Sequence, residues 1–529
     1  MLLKISQKQF LACSFFLGLL FSPSVRAEEI EIKVGIVQRF GDEETDELTI
    51  ASPQGDTLTL RGEAVELEAN QVELEVEMRP LAIPAVEERL VLSDHATFET
   101  AEYSAQQWEA LGIEVEVTQP ERWQVWAKRD VYETPLLRRW LLQSLQAQGY
   151  AEPYLDTQVV LEKPQIILNV DGDRTAVSEL EITAAGALIQ VKEAPEQKTH
   201  LYPGSLKLQP NAYGTFTLVN EVPLESYLRG VVPHEIGPAA PKGAAEAQAI
   251  IARTYALRNL RRFQADNYEL CASVHCQVYF GLADTHPQAD QSIAATRGLV
   301  LTYQNELVDA LYSSTTGGIT APFSDIWNGS DRPYLKAVID SPQPVWDLSQ
   351  RSLADEQAFR DFISLQQGFN ETGRNVFRWS KQGDLEQLNE DLQKYLEKTN
   401  HPLADFNTIE SLEIVERSPS GRILKLIVQT DRGLLELHKT EVRSALGPPR
   451  STLFYIEPIY DEAQVLKGYT FIGGGFGHGV GLSQFGSYNL ANLGWSAEQI
   501  LSFYYPGTTL QSLDESVVFW RAEKPKELN

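Results

Sequence analysis

The sequence predicts an α+β protein, β-rich near its N-terminus and mixed thereafter. Three observations carry this. Apolar residues alternate with polar ones at Ile30, Ile32, Val34 and Ile36, at Leu58 and Leu60, and at Val72, Leu74, Val76 and Met78, the period of half-buried strands. Residues 244–262, AAEAQAIIARTYALRNLRR, place Ala247, Ile251 and Tyr255 on one helical face and Ala245, Ala249, Ala252, Ala256 and Leu260 on another, the pattern of a buried helix. The stretch SLEIVERSPSGRILKLIVQTDRGLLEL reads as strands joined by turns at Ser420-Gly421 and Arg432-Gly433.

In chain order, Lys4 and Lys8 precede an apolar run from Phe10 to Phe21 and the sequence SVRA ending at Ala27, which is the arrangement of a secretory signal peptide over 1–27. A run of 12 residues is too short for a membrane span, which needs about 20. The mature chain is therefore expected to be exported, to the periplasm or cell wall, with no membrane span. Residues 28–95 form a β-rich N-terminal region. Residues 96–170 follow as an α/β unit: a helix over AEYSAQQWEALG, a strand at RWQVWAKR, a helix opened by Thr134 and Pro135 and closed by Gly149, then the strand-like TQVVLEKPQIILNVDG. Residues 171–515 form a larger α+β domain. A helical insertion over about 345–406 carries Leu385, Leu388, Leu392, Tyr395 and Leu396 at helical spacing.

The chain has 529 residues, enough for two to four domains, and carries 45 Lys and Arg against 73 Asp and Glu, a formal charge of -28. With no basic stripe, nucleic acid is excluded as a partner, since phosphate neutralisation needs clustered cations. The balance favours a neutral polymer such as a bare polysaccharide over a polyanion.

Four constellations offer chemistry. Glu235 sits in GVVPHEIGPAAP among Val231, Val232, Pro233 and Ile236, where desolvation raises a carboxyl pKa and suits it to hold and transfer a proton. HEIGP is not a zinc-protease motif, because the position four after His234 is Pro238. The segment GGGFGHGVGLSQFGS, 473–487, lacks both the dinucleotide-loop order and the nucleophile elbow. Its glycines permit close backbone approach to a ligand or to a second backbone, and His478, Ser483 and Gln484 offer polar groups to a sugar. YSSTTGGIT, 312–320, adds Ser314 and Thr315 as a hydroxyl rim or a solvated turn. CASVHC brings Cys271, His275 and Cys276 within six residues, consistent with zinc or with a Cys271–Cys276 disulfide; a closed zinc site needs a fourth ligand.

The order and wording of VPLESYLRGVVPHEI, EAQAIIARTYAL, YSSTTGGIT and GGGFGHGVGLSQFGSYNLANLGWSAEQILSFYYPGTTL resemble the SpoIID/LytB family of peptidoglycan-cleaving proteins, over about 205–345 and 412–512. Residues 96–170 are similar to SPOR domains, which bind peptidoglycan glycan. The resemblance implies a lytic transglycosylase acting on glycan strands stripped of stem peptides. The catalytic acid falls on Glu235, with Ser314, Thr315, His478, Ser483 and Gln484 lining the groove. It further implies zinc at Cys271, His275 and Cys276, although FQADNYELC lacks the upstream histidine of zinc-binding members. Ile236 and Leu482 stand where the family has Met. No second carboxyl with comparable surroundings is evident, and a lytic transglycosylase needs none, since the sugar's own C6 hydroxyl attacks C1. A cell-wall binder that enhances a separate amidase is the alternative.

Overall fold

The computed structural model describes residues 30–519 except 54–55, 64 and 194–197. The expected signal peptide lies outside the described residues.

The period-two runs do form strands, but their partners come from far along the chain. Glu31–Phe40 pairs antiparallel with Phe216–Pro223 and parallel with Leu270–Cys271. The same sheet continues through Ser205–Pro210, Leu180–Ala184, Leu58–Gly62 and Val65–Ala69. A second sheet contains Glu47–Ala51 and Leu188–Glu193, paired side by side, and the long strand Gln71–His95. Ile32, Val34, Leu60, Leu74, Leu168, Ile182, Leu206 and Leu218 from both sheets share one core. This corrects the expected boundaries: residues 28–95 are not separable from those after 171, because alternation marks a strand without naming its neighbour.

The α/β unit has helices α1 (Phe98–Ala110) and α2 (Pro135–Ala147). Thr134 caps α2 by accepting from the Leu137 N–H at 3.3 Å, Pro135 opens the helix, and Gly149 follows it with φ +94°. The strands stand in the order Val115–Thr118, Trp123–Ala127, Gln71–His95, Tyr154–Val170, a βαββαβ arrangement. Its first strand is the C-terminal end of Gln71–His95, so the expected start at 96 falls one strand late. Val115–Thr118, only four residues long, went unrecognised.

Further along are α3 (Leu224–Ile236), α4 (Lys242–Arg258), α5 (Pro287–Ala295), α6 (Glu356–Ser364), α7 (Leu385–Lys398), α8 (Thr440–Ala445), α9 (Gln484–Asn492) and α10 (Ala497–Tyr504). Every residue of α4 from 247 to 257 is buried, as its apolar circumference requires, and α3, α5, α9 and α10 pack around it. Arg253, wholly buried on α4, grips Glu225 of α3 through Nε–Oε1 at 2.7 Å and Nη2–Oε2 at 2.8 Å. Breaking such a pair from one side costs about 3–5 kcal/mol, so the orientation of α3 is firmly set.

The leucines of α7 do form its packed face: Leu388, Leu392 and Leu396 are buried. Their core includes Leu426, Val428, Phe454 and Phe471, and the strand Arg378–Asp384 pairs with Leu466–Gly474. The insertion expected to end near 406 thus belongs to a unit reaching about 474. The hairpin turns at Ser420-Gly421 and Arg432-Gly433 join Ile409–Arg417, Ile423–Thr430 and Gly433–His438, as expected.

Candidate active site

Glu235 lies in the last turn of α3, which Gly237 ends at φ +88°. Leu228, Val231, Val232 and Ile236 bury one face of this helix and so fix where the half-buried Glu235 points. Gly230 lets the 278–281 loop lie against α3, because a Cβ there would stand 2.5 Å from the Gly281 carbonyl oxygen. That contact brings the Val278 N–H to Glu235 Oε1 at 2.8 Å.

The Tyr312 hydroxyl and the Gln484 side chain lie near enough to the Glu235 carboxyl to favour its charged form, and Gln484 Nε2 donates to the Glu235 carbonyl oxygen at 2.7 Å. Behind Tyr312, Gln277 donates to the phenolic oxygen at 3.2 Å and accepts from Tyr227 at 3.3 Å. Burial pushes the Glu235 pKa up, and the Val278 N–H bond with the nearby Tyr312 and Gln484 side chains partly opposes it. A carboxylate in the last turn of a helix also faces the negative end of the helix dipole, which favours the protonated form. Tyr312 itself stays protonated, since burial pushes it well above its ordinary value.

The glycine-rich segment and YSSTTGGIT run alongside each other. Tyr312-Ser313 pairs parallel with Leu482-Ser483, and Thr315 bridges Phe476. Gly317, at φ +76°, is required by this approach: a Cβ would fall 2.6 Å from the Gly474 carbonyl carbon. The glycines thus serve backbone-to-backbone contact.

Together these elements enclose a cleft of about 540 Å³. Glu235, Tyr312, Ser314 and Gln484 line it, as do Phe98 and Trp123 of the βαββαβ unit, and Trp327, Arg443 and His478 on other stretches of its lining. Among described residues the other carboxylate lining the cleft is Glu99, which is ion-paired with Arg262.

Of the expected groove residues, Ser314, His478 and Gln484 meet Glu235 at this cleft. His478 packs against Trp327 with centroids 5.1 Å apart, and its Nδ1 accepts from the Val480 N–H at 3.0 Å. Burial, with Arg443 and Arg422 nearby, lowers its pKa to about 3, so the ring is neutral and helps set the cleft wall. Two expectations are corrected. Thr315 is wholly buried, with its hydroxyl toward the Val376 carbonyl oxygen. Ser483 is also wholly buried: it caps α9 by accepting from the Gly486 N–H at 3.0 Å and donates to Glu371 Oε1 at 2.6 Å. Its place before a helix is the signal that identifies a cap.

Sequence reasoning missed Tyr312, Gln277 and Glu371. Glu371 is wholly buried and accepts from Thr316 N at 2.5 Å, Gly317 N at 2.9 Å and Gly318 N at 3.1 Å, besides Ser483. Beside it, buried Asp340 accepts from Asn370 and Tyr504, both at 2.8 Å. Burial and the neighbouring Glu371 charge push Asp340 well above the usual carboxyl range.

The zinc expectation does not fit these residues. Cys271 and Cys276 form a disulfide, which leaves no thiolates to ligate a metal, and His275 is exposed. Among described residues no cluster of three or more His, Cys, Asp or Glu is placed to hold a metal ion. We expect unreduced protein to take up no thiol-alkylating label at Cys271 or Cys276 and to carry no stoichiometric zinc by elemental analysis. The Cys271→Ser/Cys276→Ser variant should lose about 2 kcal/mol of stability, the loop-closure value for so short a loop.

Parts of the chain are similar to known proteins. A family profile described as stage II sporulation protein (SpoIID) matches residues 212–303, which hold Glu235 and α4. A profile described as a domain of unknown function (DUF8618) matches residues 321–481. The chain is 28% identical over 305 residues to the amidase enhancer of Bacillus subtilis (strain 168), spanning 54% of this chain and 40% of that protein. It is 26% identical over 322 residues to stage II sporulation protein D of Bacillus amyloliquefaciens, spanning 58% of this chain and 79% of the relative. The B. subtilis stage II sporulation protein D is 25% identical over 339 residues, spanning 60% and 84%. The chain is thus a SpoIID-domain protein. The profile match and these relatives support the resemblance to the SpoIID/LytB family.

Proposed function

We propose that the chain is an exported lytic transglycosylase that cuts peptidoglycan glycan strands, with Glu235 as acid and then base. The observation that carries this reading is a desolvated carboxyl with a raised pKa on the wall of a cleft, held by the Val278 N–H beside the Tyr312 and Gln484 side chains.

In the first step protonated Glu235 gives its proton to the oxygen linking muramyl C1 to the next sugar, and the C1–O bond breaks. In the second, the muramyl C6 hydroxyl attacks C1 while the Glu235 carboxylate takes the hydroxyl proton. A 1,6-anhydro ring forms, Glu235 is protonated again, and no water is consumed. One carboxyl completes the cycle, whereas hydrolysis ordinarily employs two. The ion pairing of Glu99 with Arg262 favours the one-carboxyl reading.

The pH dependence follows from the direction of the shift. The first step needs the protonated acid, so kcat/KM falls as pH rises through the Glu235 pKa, which burial raises above its ordinary value. The Tyr312 hydroxyl beside the carboxyl favours the charged form, so Tyr312→Phe should move the alkaline limb to still higher pH. A limb that moves down, or stays fixed, in a pH–rate profile would contradict the assigned contact.

Similarity to the amidase enhancer of Bacillus subtilis favours a second reading, in which the cleft grips glycan without cutting it and the chain stimulates a separate amidase. Purified protein incubated with peptide-free glycan strands separates the two. Shortened strands with anhydro ends support cleavage; co-sedimentation with cell wall and intact strands support the binder.

A further inference from the structure

The proton chemistry leaves part of the cleft unused. Arg443 of α8 lines it and remains exposed, yet makes no hydrogen bond or ion pair with any described residue. Arginines elsewhere in this acidic chain commonly find carboxylates: Arg229 pairs with Asp290, Arg253 with Glu225, and Arg258 and Arg332 with Asp309. The cleft's other arginine, Arg262, is held by Glu99 and Asn259. His478, the titratable group that Arg443 influences, is neutral and supplies no counter-charge.

Three further cleft residues carry polar atoms without a partner among described residues: Ser313 Oγ, Trp327 Nε1 and Thr452 Oγ1. Arg and Trp only donate, and a hydroxyl donates readily to an anion. The set calls for an acceptor with negative charge, and a guanidinium is geometrically matched to a carboxylate.

Resting on the function proposed above, we propose that Arg443, with the Ser313 and Thr452 hydroxyls, forms a subsite for a carboxylate of the bound glycan. In peptidoglycan this is the lactyl carboxylate of a muramyl unit without its stem peptide. When the peptide is attached, the same carbon is an uncharged amide, so Arg443 would make the cleft selective for peptide-free strands. The overall charge of -28 disfavours polyanions at long range, and one local cation reads a single carboxylate at contact.

The test uses the full chain carrying Glu235→Gln, so that binding is read without cleavage. Calorimetric titration compares peptide-free glycan oligosaccharides with the same oligosaccharides after conversion of their lactyl carboxylates to methyl amides. The expected result is a preference for the free carboxylate of about 10- to 100-fold in Kd. Arg443→Gln added to this background should abolish the preference by weakening the carboxylate form alone, with an unchanged melting temperature as the folding control. Equal affinity for both forms, or a preference that survives Arg443→Gln, overturns the subsite while leaving glycan binding intact. Binding of neither form overturns the glycan reading itself, and the subsite with it.

Discussion

Glu235→Gln is expected to lower glycan-strand cleavage by about 100- to 10,000-fold, with glycan affinity within a few-fold of wild type. The amide is nearly isosteric and retains an oxygen for the Val278 N–H, so the cleft keeps its shape. It loses only the transferable proton. Mass spectrometry of 1,6-anhydro ends after incubation with peptide-free strands is the measurement. Anhydro ends at wild-type levels would sink the mechanism. If the chain acts instead as an amidase enhancer, the variant should stimulate the amidase as well as wild type does.

The second large effect concerns stability. Removing Glu371 strands the N–H groups of Thr316, Gly317 and Gly318 and the Ser483 hydroxyl in a dry interior. Glu371→Ala should therefore cost about 3–5 kcal/mol and lower the melting temperature by several degrees. It should also reduce cleavage, because the stranded groups belong to the two segments that meet at the cleft. Asp340→Asn should be far milder, since an amide reproduces a protonated carboxyl. The pH dependence has a definite sign. A carboxyl with its folded pKa raised contributes stability that is fully present below its unfolded value and is lost as pH rises through the folded value. Wild type should lose thermal stability toward alkaline pH, and Asp340→Asn should lose less. A fall in Asp340→Asn as steep as in wild type would argue against a protonated Asp340.

The sequence made the local devices legible. Thr134, Pro135 and Gly149 bound α2, the leucines of α7 face its core, and the apolar neighbours of Glu235 foretell its desolvation. What depends on distant pairing was hidden. Glu371 sits in the polar stretch GFNETGRN, and nothing near it tells that its partners are Thr316 to Gly318 and Ser483. A hydroxyl-rich motif looks like a sugar-binding rim whether its groups face solvent or interior. Here Ser314 lines the cleft, while Thr315 and Ser483 do not. Tyr312, in the same motif, is the hydroxyl that lies beside the Glu235 carboxyl.

The pairing of Glu31–Phe40 with Phe216–Pro223 has a consequence for how the protein is made. An emerging chain has to keep its first strand waiting for nearly two hundred residues, and closing so long a loop is slow. Until then the strand presents an open edge to neighbouring chains. A recombinant fragment limited to 212–303 would create the reverse hazard, leaving Phe216–Pro223 without either natural neighbour. Aggregation of such fragments, and good behaviour of the 30–519 span, is the laboratory outcome this strand order dictates.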